Sequence, residues 1–175
     1  MKLAHRLFLK IFLFMGFAYG GMHALVFYFF SNEEEWLLRS LVLGLGFGLM
    51  MGLFLTYKQM REVKKLRGNE LTQEDLSVHQ LTHFRSALTK EEMLAKLQNN
   101  YPSKDWKLTE NGSHIRLETT YSWKSFGEKV QIKVEQLQNG LSDVIVESKP
   151  RGWITLADYG KNLENILYLK HLLTA

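Results

Sequence analysis

Residues 7–30 read LFLKIFLFMGFAYGGMHALVFYFF and residues 36–57 read WLLRSLVLGLGFGLMMGLFLTY. Each run, taken as a helix, is long enough to cross a hydrocarbon core of about 30 Å. Only Ser31–Glu35 separates them, and Glu33, Glu34 and Glu35 make that turn acidic. The pattern predicts a two-span membrane hairpin over 1–57, a basic connector over 58–77 and a polar domain over 78–175. The mean hydropathy of −0.16 hides this division, because an apolar third is averaged with an ordinary remainder. A cleaved leader is not expected: the first apolar run is too long, and no small-x-small site precedes the acidic turn.

The charge distribution orients the hairpin. Lys2, Arg6 and Lys10 precede or begin the first span, and Lys58, Arg61, Lys64, Lys65 and Arg67 follow the second. Basic residues outside both ends place both termini in the cytoplasm, and the later group would also be drawn to anionic headgroups. These bases read as topology signals, so no nucleic-acid partner is expected. The chain has no cysteine, which excludes disulfides, thiol catalysis and cysteine-held zinc or iron–sulfur sites. Size and domain style point to a bacterial inner (plasma) membrane.

Two stripes of small residues run through the spans at four-residue spacing: Gly16, Gly20 and Ala24, then Gly44, Gly48 and Gly52. Small residues let helix backbones approach closely in lipid. The stripes are expected to pack on each other, or on a protein partner or a second copy of the chain. Tyr28, Trp36 and Tyr57 fall near the span ends, as an interfacial aromatic belt would place them. His23 lies deep in the first span with no acidic partner at its depth, and is expected to be neutral and bonded to a backbone carbonyl or to Tyr19.

The remaining chain alternates between helical and strand periods. The second span should continue as a helix to about Gly68. Leu71–Leu88 is ambiguous: Val78, Leu81, Phe84 and Leu88 recur at helical spacing behind Thr72-x-x-Asp75, but Val78–Arg85 also reads as a strand. Thr89-Lys-Glu-Glu92 is a capping box opening a helix that fades at Asn99-Asn100. Strands follow at Trp106–Glu110, Ile115–Trp123, Val130–Val134 and from Val144, with Asn111-Gly112 and Asn139-Gly140 as hairpin turns. Thr155-x-x-Asp158 should cap a last amphipathic helix bearing Tyr159, Leu163, Ile166, Leu167 and Leu173. The expected fold is the transmembrane hairpin plus an α+β two-layer sandwich with a four-stranded antiparallel meander.

Candidate sites are few. His79 and His83 share a face in either conformation and are the metal candidates, joined by Asp75 if the segment is helical. Lys149, Arg151 and Lys161 bracket the start of the last helix, where free N–H groups favour an anion or lipid headgroup, with Asn162 and Asn165 as extra donors. No nucleophile elbow, phosphate loop or paired acid occurs, and the Gly44–Gly52 run lies in the predicted span. No cofactor and no catalytic residue are expected. The expected role is non-enzymatic: an integral membrane protein whose cytoplasmic domain is an interaction module or accessory subunit. The alternative is a membrane-anchored sensor of an anionic headgroup or small ligand near the last helix.

Overall fold

The computed structural model describes residues 2–30, 35–100, 106–120, 126–152 and 154–174. The chain forms two compact units, Met1–Leu76 and Ser77–Ala175.

In the first unit, helix α1 (Lys2–Phe30) packs antiparallel on helix α2 (Trp36–Arg67). Both are long and apolar enough to cross a membrane. Helix α2 continues past Tyr57 to Arg67 and stops where the Gly68 N–H donates to the Lys64 carbonyl at 2.8 Å. The chain then folds back on the helix ends. Arg67 Nε donates to Asp75 Oδ1 at 2.9 Å, and Arg6 Nη1 donates to Gln73 Oε1 at 2.8 Å. Asp75 and Leu76 are buried, as are Gln59 and Val63 on α2. The Thr72–Asp75 pair makes the reciprocal bonds of a capping box, yet a turn follows it and no helix.

The second unit has a five-stranded sheet where four strands were expected. The additional strand, β1 (Gln80–Ser86), settles the ambiguous segment as a strand. Then come α3 (Lys90–Asn100), β2 (Trp106–Asn111), β3 (His114–Thr119), β4 (Glu128–Gln136), β5 (Ser142–Pro150) and α4 (Lys161–Thr174). The order is β1-β5-β4-β3-β2, so the meander β2 to β5 is extended by β1 pairing antiparallel with β5. The helical spacing of Val78, Leu81 and Phe84 misleads because burial follows a period of two: Phe84 is buried while Leu81 stands 67% exposed. Strand β3 ends at Thr119, and Tyr121 and Trp123 lie outside the described residues.

Alternation gives the sheet one buried face. Ile115, Leu117, Val130, Ile132, Val144 and Val146 point into a core completed by Met93 and Leu97 of α3 and Ile166, Leu169 and Leu173 of α4. The capping box of α3 is closed in both directions: the Thr89 N–H donates to Glu92 Oε2 at 2.8 Å, and the Glu92 N–H to Thr89 Oγ1 at 3.3 Å. Gly112 and Gly140 take φ of 56° and 76° in the two tight turns, conformations that side chains resist. Helix α4 starts at Lys161, later than the Thr155 box implies. Thr155 Oγ1 donates instead to the Gly152 carbonyl, and Asp158 alone caps the helix by accepting the Asn162 N–H at 2.9 Å.

Candidate functional site

The small-residue stripes of α1 and α2 meet face to face. A Cβ on Gly48 would stand 2.6 Å from the Phe12 carbonyl oxygen and 2.9 Å from the Gly16 Cα. One on Gly44 would meet the Gly16 oxygen at 2.8 Å and the Gly20 Cα at 3.0 Å. Gly52 makes the same approach to the Phe8 ring, at 2.8 Å. At Gly44 and Gly48 the obstacle is backbone, which cannot give way, so these glycines are the core of the hairpin, whereas the Phe8 ring at Gly52 can move. A Cβ on Gly21 or Gly46, by contrast, would meet nothing within 4 Å. Ala24 lines a groove of about 300 Å³ beside the seam, with Leu13, Phe17, Leu37 and Leu41.

His23 departs from its expected bonding. Its ring lies 4.8 Å from Tyr19 and 5.6 Å from Phe27, centre to centre, and Nδ1 has no hydrogen-bond partner among the described residues. Tyr19 is turned toward α2, where it stacks on Phe47 at 4.3 Å. The histidine therefore contacts its neighbour through the ring and not through a hydroxyl bond.

The connector bases split into two groups. Lys65 pairs with Glu62 at 2.6 Å, Arg67 with Asp75 at 2.9 Å, and Lys58 lies 5.9 Å from the centre of the Phe54 ring. Arg61 and Lys64 extend into the surroundings. Burial pushes the Asp75 carboxyl up, but the Thr72 N–H and hydroxyl and the Arg67 guanidinium outweigh it and hold the group below its ordinary value.

The uncovered face of the sheet carries His83 of β1 and Lys149 of β5, with His79 in the bend just before β1. Each histidine meets a different acid: His79 Nε2 lies 2.7 Å from Glu147 Oε1, and His83 Nε2 lies 2.6 Å from Asp143 Oδ1. Asp75 belongs to the other unit. No group of three or more potential metal ligands forms among the described residues.

The residues of the expected anion site each have a partner within the unit. Lys149 Nζ donates to Glu147 at 2.9 Å, which with His79 holds that carboxyl below its usual range against the effect of burial. Lys161 pairs with Glu164 at 3.0 Å, and Arg151 Nη1 donates to the Thr119 carbonyl at 3.5 Å. Asn162 and Asn165 are not free donors either. They are buried in a network in which Ser148 Oγ donates to Asn162 Oδ1 at 2.7 Å, Asn162 Nδ2 donates to Asp158 Oδ2 at 2.7 Å, and Asn165 Nδ2 reaches Ser148 Oγ at 3.3 Å. This knot locks α4 onto β5.

Sequence reasoning missed one pattern on the uncovered face. Lys129 of β4 stands directly opposite Lys149 of β5, and Glu118 of β3 opposite Lys129. Lys107 of β2 stands opposite Glu118 and completes the row. The alternation of Lys129, Gln131 and Lys133 signals an outward face, but which residues become neighbours depends on register. The chain matches no family model, no curated protein and no solved structure.

Proposed function

We propose that this is a non-enzymatic integral membrane protein in which the hairpin is the anchor and the α+β unit is an interaction module or accessory subunit. The observation that carries the anchor is the inverted surface of the first unit. Among the described residues, twenty-two of the twenty-five exposed large apolar side chains lie on α1 and α2, with Phe17 and Phe30 each 87% exposed. Water would oppose that surface at about 25 cal/mol per Å², whereas lipid solvates it. The basic groups beside both outer helix ends support a cytoplasmic position for both termini and for the α+β unit, and a bacterial inner membrane is the bilayer proposed.

The interaction role is supported by how the second unit disposes its polar groups. His79, His83, its buried asparagines and most of its cations have polar partners within the unit, while one whole face of the sheet remains uncovered by α3 and α4. Such a face suits a protein partner better than a reaction. Partnering through the glycine stripes is the less favoured route, because those glycines already pack on each other.

Native mass spectrometry of the full chain, purified from its own membranes in mild detergent, tests the role. A stoichiometric second protein, or a defined homo-oligomer, is the expected result. A monomer with neither overturns the interaction reading.

A further inference from the structure

We infer that the uncovered sheet face takes an acidic protein segment, seated over Lys129 and Lys149; this rests on the interaction-module reading and names the partner's chemistry. Like charges directly opposite each other on neighbouring strands are destabilising, and sheets generally avoid them. Here Lys129 and Lys149 are register partners on two central strands. Their carboxylate neighbours are shared with other groups. Glu118 lies 3.8 Å from Arg116, and Glu147 is shared by Lys149 and His79. Lys129 has no ion pair among the described residues, and neither does Lys107, which closes the other end of the same row. The face thus holds two adjacent ammonium groups with one carboxylate's worth of compensation between them, an arrangement that a partner's Asp or Glu completes.

The rest of the face selects a protein over the other polyanions. Glu118, Glu135, Asp143 and Glu147 are interspersed with the cations, so the uniformly negative surface of a membrane or a nucleic acid would be set against four carboxylates. A protein segment can place acids over the lysine pair and neutral or basic residues elsewhere. Leu81, 67% exposed and opposite Glu147, adds an apolar contact of the kind such segments use.

The test uses the full chain in phosphatidylcholine nanodiscs and a fluorescein-labelled peptide of alternating glutamate and threonine. Fluorescence anisotropy should show salt-sensitive binding that the Lys129→Gln/Lys149→Gln double variant weakens about tenfold. Lys96→Gln/Lys170→Gln, which removes the same charge from α3 and α4, should bind as the wild type does. Thermal unfolding supplies an arm that needs no peptide: Lys129→Gln alone should raise Tm by about 1–3 °C, because it relieves the like-charge pair. Absence of peptide binding, equal loss in both double variants, or a lowered Tm in Lys129→Gln overturns the inference. Preferential binding to phosphatidylserine vesicles through the same lysines also overturns it. If these fail while native mass spectrometry still finds a stoichiometric partner, the acidic segment is wrong and the interaction role stands. If no partner is found, the role itself falls.

Discussion

The hairpin and the α+β unit solve the packing problem with opposite materials. In the hairpin the contact surface is backbone: Gly16, Gly20, Gly44 and Gly48 bring carbonyls and Cα atoms together, and the large side chains point away. In the α+β unit the contact surface is side chain, and Ile115, Leu117, Ile132 and Leu169 are at most 1% exposed while lysines and glutamates point away. The difference follows from the medium each surface suits. Where the surroundings are as apolar as leucine, burying leucine gains little, and close approach of helices is what remains to be gained. Where the surroundings are water, removing apolar area dominates.

The comparison breaks most visibly if each core is damaged in its own material. Leu169→Ala removes a fully buried side chain at the centre of the second unit and should destabilise it by about 2–5 kcal/mol, read by urea unfolding with the hairpin's helical signal preserved. Gly48→Ala adds only a methyl, but its Cβ would meet the Phe12 oxygen at 2.6 Å. It should loosen the hairpin by about 1–3 kcal/mol in an SDS titration and leave the α+β unit alone. Gly46→Ala, two residues away on an open face, should instead be neutral or stabilising by up to about 1 kcal/mol. If Gly46 and Gly48 respond alike, the glycine seam is not the core.

Asp75 sharpens the boundary between the two regions, since it ties the returning connector to α2. Its native carboxyl titrates below the unfolded value of about 3.9. Its contribution is therefore complete above about pH 5 and is lost as pH falls through the lowered native value. Hydrogen exchange across residues 69–76 should quicken in acid in the wild type. Asp75→Asn should exchange quickly already at neutral pH, with a loss of about 1 kcal/mol in local protection. The smallest effect concerns His79 and His83: with each imidazole against its own carboxylate, zinc or EDTA should leave Tm unchanged. A Tm that rises with zinc and is abolished by His79→Ala would contradict the placement.

Local signals in the chain were legible where the interaction that uses them is local. The long apolar runs, the reciprocal Thr89–Glu92 box and the two Asn-Gly turns all need only a few neighbouring residues. Strand β1 was illegible because its partner, β5, lies some sixty residues later, with Gln80 opposite Ser148 and Ser86 opposite Ser142. Without that partner, Val78, Leu81 and Phe84 fit a helix equally well. The surroundings of the candidate site residues were illegible for the same reason. Asn162 and Asn165 look like free donors until Ser148 arrives from β5, and Lys129 looks like an ordinary surface lysine until register sets it against Lys149.

The chain's lack of cysteine allows its central claim, an anchored hairpin with both ends on one side of a bilayer, to be tested directly. Asn32→Cys and Thr174→Cys, each made singly, would be probed with a membrane-impermeant maleimide in intact cells and after permeabilisation. Asn32→Cys should be labelled in intact cells, and Thr174→Cys only once the membrane is opened. Labelling of both positions from the same side would contradict the claim.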